Sequence, residues 1–120
     1  AKHYAGSKIS LSWHRTTADY FRGTVIGHDA YSLGPRAFEI PACGGFMLSD
    51  PSRPELTDVY GDTVPTFDSP QALIQQVRYW LAHEDERKGL AAAQRARVMP
   101  CSFRERGEAI LWPVVSDLCR

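Results

Sequence analysis

Residues 34–50 read GPRAFEIPACGGFMLSD, and this stretch predicts a helix followed at once by a buried strand. Gly34 and Pro35 mark the helix start, because proline is preorganised for the first helical position and lacks only an N–H that would be unpaired there. Pro41 predicts a kink or an early end, and the glycine pair that follows stops the helix. The apolar run 46–48 then closes on Ser-Asp-Pro, a pattern typical of a short buried strand.

The chain on either side of this stretch continues the alternation of strands and helices. Residues 9–13 alternate apolar and polar side chains and predict a first strand, followed by a long connection over 14–33. Downstream we predict a helical turn or two over 55–60, an edge strand over 63–67, helices over 70–81 and 84–98, and a final helix after Ser102. This alternation predicts an α/β fold whose parallel sheet is covered by helices on both faces.

The predicted helices differ in how much apolar surface they offer to a core. Helix 70–81 carries an apolar stripe of Leu73, Ile74, Val77, Trp80 and Leu81. Helix 84–98 is rich in alanine and charged residues, and its charges predict a solvated face. The final helix opens with a capping box of Ser102 and Glu105, and Pro113 should bend it. The apolar positions that continue the helical periodicity behind this box are Ile110, Leu111, Val114 and Leu118.

The composition describes one domain and excludes several classes of partner. The 120 residues suit a single domain, and fourteen basic against fourteen acidic side chains give no electrostatic footprint for nucleic acid or an anionic membrane. The apolar runs fall far short of the roughly twenty residues that a membrane helix needs. Three cysteines without CxxC spacing disfavour a disulfide framework and a zinc site, and predict a reducing, cytoplasmic setting.

The start of the predicted helix in the 34–50 stretch has the parts of an anion and sugar site. A helix amino terminus offers unpaired N–H groups, and Gly34 lets a ligand approach the backbone closely. Arg36 adds a planar fork of donors suited to phosphate oxygens, and Glu39, one turn on, is placed to accept hydrogen bonds from vicinal hydroxyls such as those of ribose. The alternative is a capped helix with an exposed arginine and glutamate, and spacing alone leaves both interpretations open.

Two further candidates, His14 and Arg15, follow the first predicted strand. Ligands of parallel sheets bind beyond the carboxyl ends of the strands. A histidine there is a candidate proton acceptor or hydrogen-bond donor to a ligand, or else a surface residue. The chain contains no Gly-x-Ser-x-Gly sequence, and its cysteines lie in no nucleophile signature, so we assign no catalytic residue.

Several ordered segments of the chain resemble a single protein family. Residues 36–50 read RAFEIPACGGFMLSD and residues 54–56 read PEL. They resemble the signature R-x-F-E-x-x-A-C-G-G-x-x-L-x-D…E-L of the CgeB-like, group 1 glycosyltransferases. Residues 7–15, SKISLSWHR, are similar to the S-K-I-x-L-N-x-H-R strand of that family, and residues 67–97 are similar to its closing helices. The resemblance covers most of the chain and is weakest over 16–31.

The resemblance implies the carboxyl-terminal, donor-binding half of a GT-B enzyme, in which two Rossmann-like domains face one another across a cleft. Residues 1–120 then form one nucleotide-sugar-binding domain with a Rossmann-like parallel sheet flanked by helices, as a fragment or one half of the enzyme. Its implied partners are a nucleotide-diphosphate sugar, which is the donor substrate, and an N-terminal acceptor-binding domain, with no further cofactor. The implied reaction transfers a sugar to an acceptor hydroxyl, and the domain alone is expected to be inactive.

The resemblance also implies roles for individual residues. The positions that match the family's donor site are Gly34 and Arg36 at the diphosphate, Glu39 at the ribose, and His14 and Arg15 near the diphosphate or the sugar. Related retaining enzymes have two glutamates separated by seven residues, and here Tyr31 stands at the first position. That difference favours the alternative, a noncatalytic binding module with the same fold and a degenerate pocket. A metal-dependent GT-A transferase is disfavoured, because the chain contains no Asp-x-Asp.

Overall fold

A computed structural model describes residues 2–14, 17–21, 24–28 and 30–118 of the chain. Its regular elements are, in chain order, α1 (Lys2–Gly6), β1 (Ser10–Ser12), β2 (Thr17–Phe21), β3 (Thr24–His28), α2 (Pro35–Ala42), β4 (Met47–Ser49), α3 (Glu55–Tyr60), α4 (Pro70–Ala82), α5 (Glu84–Val98), a 3-10 turn (Met99–Cys101), α6 (Phe103–Arg106), a π-helical segment (Gly107–Leu111) and α7 (Trp112–Leu118). The described part of the chain is therefore rich in helix with a small amount of sheet.

The two strands predicted before and after helix α2 pair in parallel. β1 and β4 run side by side, with Ser10 opposite Met47 and Ser12 opposite Ser49. The edge strand predicted over 63–67 is reduced to one parallel bridge between Ser49 and Thr66. The α/β prediction is confirmed in this limited form, since the described residues show a small parallel sheet and not the full Rossmann-like sheet.

A side chain takes the place of the third strand at the outer edge of β4. The Gln94 side chain accepts a hydrogen bond from the Met47 N–H at 2.9 Å and donates to the Met47 carbonyl at 3.1 Å and the Thr63 carbonyl at 3.0 Å. Two residues further on, backbone hydrogen bonds join Ser49 to the 65–67 segment. Gln94 is fully buried. The Gln94 amide can be buried because it matches the donor and the acceptor of an open strand edge.

Arg87 is a second buried polar side chain on α5. The prediction that the charges of this helix form a solvated face is therefore wrong at Arg87. Its guanidinium donates to the Trp80 carbonyl at the end of α4, at 2.7 Å. The apolar stripe predicted on α4 is confirmed for part of its length. Leu73, Val77 and Trp80 pack into the core, whereas Ile74 and Leu81 are about half exposed.

The long connection predicted over 14–33 is wrong, because an antiparallel hairpin lies within it. β2 and β3 pair from Thr17 opposite His28 to Phe21 opposite Thr24. Only two residues of the sequence separate the strands, which is the commonest hairpin spacing. Threonine, valine, isoleucine and aromatic residues, which favour strands, are frequent in both segments. The glycine and aspartate residues among them hid that signal.

The alternation predicted for the first strand has the opposite phase in the structure. Ser12 is buried, whereas Leu11 and Trp13 are 41% and 62% exposed. The carbonyl of Ser12 accepts hydrogen bonds from the Ser49 hydroxyl and the Asp50 N–H, so this polar position is tied to β4. Trp13 packs edge-on against Phe67, with ring centroids 5.7 Å apart.

A proline inside α2 is compensated by a tyrosine from α3. The helix ends at Ala42, one residue after Pro41, which confirms the predicted early end. Pro41 has no N–H to donate to the carbonyl of Ala37, four residues earlier. The Tyr60 hydroxyl donates to that carbonyl instead, at 2.6 Å. Burial, with a smaller contribution from Cys101, raises the pKa of Tyr60 well above its ordinary value.

Helices cover both faces of β4. Met47 belongs to a cluster with residues of α2, α3 and α5, whereas Leu48 packs in a second cluster with Phe46, Phe67 and Trp80. Alternate residues of a strand point to opposite faces, so the two clusters lie on opposite sides of the sheet. The predicted covering of both faces is confirmed for this strand.

The carboxyl-terminal helices do not extend the core. The capping box is confirmed on one side, since the Ser102 hydroxyl accepts from the Glu105 N–H at 3.2 Å. A π-helical segment, Gly107–Leu111, ends two residues before Pro113. The four periodic apolar residues of the predicted final helix, Ile110, Leu111, Val114 and Leu118, are all more than half exposed. Among the described residues, no helix combines the length and apolar character needed to cross a membrane.

Candidate functional site

A cavity of about 520 Å³ lies between the carboxyl end of β1 and the amino terminus of α2. Four of the five candidate residues line it: His14, Gly34, Arg36 and Glu39. The fifth, Arg15, lies outside the described residues. The volume falls in the range of roughly 300–1,000 Å³ that is usual for small-molecule sites. Residues that are 25 positions apart in the sequence thus share one concave surface.

The amino terminus of α2 forms one wall of the cavity. Gly34 is extended (φ −75°, ψ 160°) and provides no side-chain cap, and Pro35 occupies the first turn. The Ala37 N–H bonds the Gly34 carbonyl at 3.0 Å. Helix geometry leaves the Arg36 N–H available to a ligand. A Cβ atom at Gly34 would meet no atom within 4 Å, so the space beside this backbone is open.

Arg36 and Glu39 lie one turn apart on α2, and both side chains are exposed where they line the cavity. Residues at this spacing share a face of a helix. Glu39 also lines a second, more apolar cavity of about 440 Å³ on the far side of the same helix turn. The arrangement brings a cation, a carboxylate and a positive helix end together at one opening.

His14 is held at the cavity by Asp50. The carboxylate oxygen Oδ2 of Asp50 accepts from the His14 backbone N–H at 2.6 Å and lies 3.0 Å from ring atom Nδ1. The other oxygen, Oδ1, accepts from the backbone N–H and the hydroxyl of Ser52. Only 7% of the His14 side chain is exposed. Among the described residues, no group hydrogen-bonds the buried ring atom Nε2 of His14.

The segment that leads into α2 is fixed by residues of the following loop and helix. Glu55 accepts a hydrogen bond from the Leu33 N–H at 2.6 Å. Arg53, which lines the cavity, donates to the Ala30 carbonyl at 2.7 Å. Tyr31 donates from its hydroxyl to Asp58 and is not among the residues that line the cavity in the described part of the chain. Tyr31, which stands at the position of the first glutamate of the paired motif, therefore contacts Asp58 and does not line the cavity that the described residues form.

Sequence reasoning missed Asp50 and Arg53. Asp50 follows β4 directly and His14 follows β1, and these two strands are parallel neighbours. The carboxyl ends of parallel strands meet at one edge of a sheet, so the Ser-Asp that closes the apolar run was the available signal. Arg53 had no comparable signal, because it follows in an irregular loop.

One family model matches the chain over most of its length. The family model described as glycosyl transferase-like matches residues 1–111. The match spans most of the sequence, and the chain belongs to this glycosyl transferase-like family. The general chemistry of the family is the transfer of a sugar from a donor to an acceptor. No curated protein and no solved structure matches the chain.

Proposed function

We propose that the cavity binds the diphosphate and ribose of a nucleotide-diphosphate sugar, and that the chain is the donor-binding domain of a glycosyltransferase. The finer assignment, to the carboxyl-terminal half of a CgeB-like GT-B enzyme, rests on the sequence resemblance. The observation that carries the proposal is the meeting of Arg36, Glu39 and the α2 amino terminus at one cavity.

Each part of the donor has a group of matching chemistry in the cavity. The diphosphate lies against the Arg36 backbone N–H and the α2 dipole, and the Arg36 guanidinium binds its oxygens. Glu39 accepts hydrogen bonds from the ribose hydroxyls. Because the diphosphate leaves with added negative charge when the sugar is transferred, the same positive groups stabilise the transition state. The net charge of the chain is zero, so this attraction is local to the cavity.

The acceptor and the general base belong, in this proposal, to an N-terminal acceptor-binding domain. We assign no catalytic residue to the chain and no cofactor beyond the donor itself. We also propose a cytoplasmic setting, which is supported by the free thiols of Cys43 and Cys101 among the described residues.

A noncatalytic binding module with a degenerate pocket is the second candidate. Tyr31 favours it, because the position of the first paired glutamate carries a phenol whose hydroxyl is bound to Asp58. A module of this kind would keep the fold and lose the contacts to the transferred sugar.

Calorimetric titration of the chain with nucleotide sugars of uridine, guanosine, adenosine and thymidine tests the proposal. Arg36→Ala and Glu39→Gln should each weaken binding about 10- to 100-fold, as expected for lost charge-assisted hydrogen bonds of about 1.5–3 kcal/mol. Gly34→Ala should weaken binding without lowering stability, since its added methyl group enters open space that the ligand needs. Arg78→Ala and Glu108→Gln, both exposed and outside the cavity, are the matched controls.

Two results would contradict the donor-site assignment. Failure of every nucleotide sugar to bind would remove it altogether. Binding that is indifferent to Arg36, Glu39 and Gly34 would move the nucleotide elsewhere and favour the noncatalytic module.

A further inference from the structure

The buried pair of His14 and Asp50 has no part in the donor contacts proposed above, although His14 lines the same cavity and the resemblance places it near the diphosphate or the sugar. We propose that Asp50 is a positioning residue that holds the Nδ1–H of His14, and that Nε2 of His14, once protonated, donates to a phosphate oxygen of the donor. Donor binding then takes up one proton from solvent. This inference rests on the proposed function, because it assumes that a diphosphate occupies the cavity.

The hydrogen bonds around Asp50 determine which ring nitrogen carries the first proton. Oδ2 receives the His14 backbone N–H at 2.6 Å and lies 3.0 Å from Nδ1. Burial acts to raise the pKa of Asp50, but hydrogen bonds from Ser52 and His14 and the charge of the ring outweigh it, so the pKa lies below its usual range. An ionised carboxylate has no hydrogen to donate. The hydrogen of this contact therefore belongs to Nδ1, and Nε2 is left with a lone pair in the neutral ring.

The state of Nε2 points to a ligand. This atom is buried, the His14 side chain is 93% buried, and no group of the described residues bonds Nε2. A buried polar atom without a partner is unfavourable, and a ligand atom that supplies one recovers that loss. His14 lines the cavity together with the α2 amino terminus, so the two features mark the same ligand position.

The charges around the ring explain why protonation is coupled to binding. Asp50, after β4, favours the charged ring, and Glu39 of α2 carries the same sign. Arg36 of α2, Arg53 of the loop before α3 and the α2 dipole favour the neutral ring, while Tyr4 of α1 contributes an uncharged phenol. A diphosphate adds two negative charges to the cavity. A phosphate oxygen can only accept a hydrogen bond, so Nε2 must carry a proton to bond it.

The test is calorimetric titration with a nucleotide sugar at pH 6, 7 and 8 in buffers of different ionisation enthalpy. A nucleotide sugar is the appropriate probe, because each of its two phosphates carries one ester bond and one anhydride bond and does not titrate in this range, unlike the terminal phosphate of a free nucleoside diphosphate. We expect binding to take up protons from solvent. The dissociation constant should rise with pH, by up to about tenfold per pH unit for one linked proton.

Two substitutions test whether Asp50 positions the His14 ring or only supports the fold. His14→Gln keeps an amide donor near Nε2 and should abolish the proton uptake and the pH dependence while retaining binding. Asp50→Asn should allow both ring tautomers, which nitrogen NMR of the His14 ring reports in the free protein. His83→Gln, at an exposed site outside the cavity, is the matched control and should keep the full proton uptake.

The outcomes distinguish this inference from the proposed function. Binding that depends on Arg36 but shows no proton uptake, or the same uptake in His14→Gln, overturns the role of His14 and leaves the donor site standing. A free protein whose ring carries its hydrogen on Nε2 overturns the role of Asp50. If no nucleotide sugar binds, both proposals fall together. Should Asp50→Asn unfold, His14→Gln alone decides the outcome.

Discussion

Gln94 shows how much of a sheet one side chain can complete. Its amide bonds both backbone groups of Met47 on the open edge of β4, and it is fully buried while doing so. A buried N–H and carbonyl left without partners are each unfavourable by about 1–3 kcal/mol. The stability of β4 therefore depends on a residue 47 positions away in the sequence.

Gln94→Leu should lower the free energy of unfolding by about 2–4 kcal/mol, because the two buried backbone groups of Met47 lose their partner and the part-buried Thr63 carbonyl loses a donor. The leucine keeps a similar volume, so the loss reports hydrogen bonds and not a cavity. Urea denaturation measures it, and the slope against urea should stay unchanged. Gln75→Leu, exposed on α4, is the control and should change stability by about 0.5 kcal/mol or less. Equal midpoints for the two variants would contradict the role given to Gln94.

The sequence predicted the part of the candidate site that lies on one helix, α2. Gly34, Arg36 and Glu39 lie within six residues of one another, and the helix start that joins them is legible from a glycine-proline pair. Asp50 and His14 are 36 residues apart in the sequence, and their contact forms only because β1 and β4 pair in one particular register. The burial of Gln94 is even harder to predict from the sequence, because a glutamine in a helix rich in charged residues is normally exposed. Such long-range contacts form only through tertiary packing, which one sequence does not display.

The bend-prone helix α2 owes part of its stability to α3. Tyr60→Phe should cost about 1–3 kcal/mol, because the buried Ala37 carbonyl loses its donor. Pro41→Ala restores an N–H in reach of that carbonyl, so Tyr60→Phe should cost less in the Pro41→Ala background. A double-mutant cycle from urea denaturation should give a coupling of about 1 kcal/mol. Tyr79→Phe, whose hydroxyl contacts an exposed glutamate, is the control, and strict additivity would refute the coupling.

The same tyrosine makes the fold sensitive to alkali. Burial raises the pKa of the Tyr60 hydroxyl in the folded protein, so the folded state favours the protonated phenol. Its contribution to stability is complete below the unfolded value near 10 and is lost as pH rises above it. Unfolding free energies measured between pH 9 and 11.5 should fall more steeply for the native chain than for Tyr60→Phe. Parallel curves would show that Tyr60 does not carry the effect.

Truncation of two tryptophans on different helices should change the free energy of unfolding by very different amounts. Trp80 of α4 is buried against Phe46, with ring centroids 5.1 Å apart. Trp80→Ala should therefore cost about 3–5 kcal/mol. Trp112 of α7 is 68% exposed, and Trp112→Ala should change stability by about 0.5 kcal/mol or less. Chemical denaturation compares the two, and a large loss at Trp112 would mean that α7 packs on the core.

The molecule as a whole places its donor-site candidates on one side of a small parallel sheet. In the proposed function the residues that line the cavity bind and orient a donor, but we assign none of them the role of general base. The isolated 120-residue chain should therefore bind a nucleotide sugar and transfer no sugar at a rate above the buffer control. A radiolabelled donor with a mixed pool of hydroxyl acceptors measures this, and steady turnover by the chain alone would contradict the expectation.

The pairing of β1 with β4 joins His14 and Asp50 at the entrance to α2, so this surface exists only while the sheet is intact. Any small molecule seated there must be released before the strands can separate, and its affinity therefore adds to the resistance of the protein against heat. At a concentration one hundred times its dissociation constant, a ligand should stabilise the fold by about 2.7 kcal/mol. Melting curves across a panel of sugar nucleotides can rank the donors without any knowledge of the acceptor.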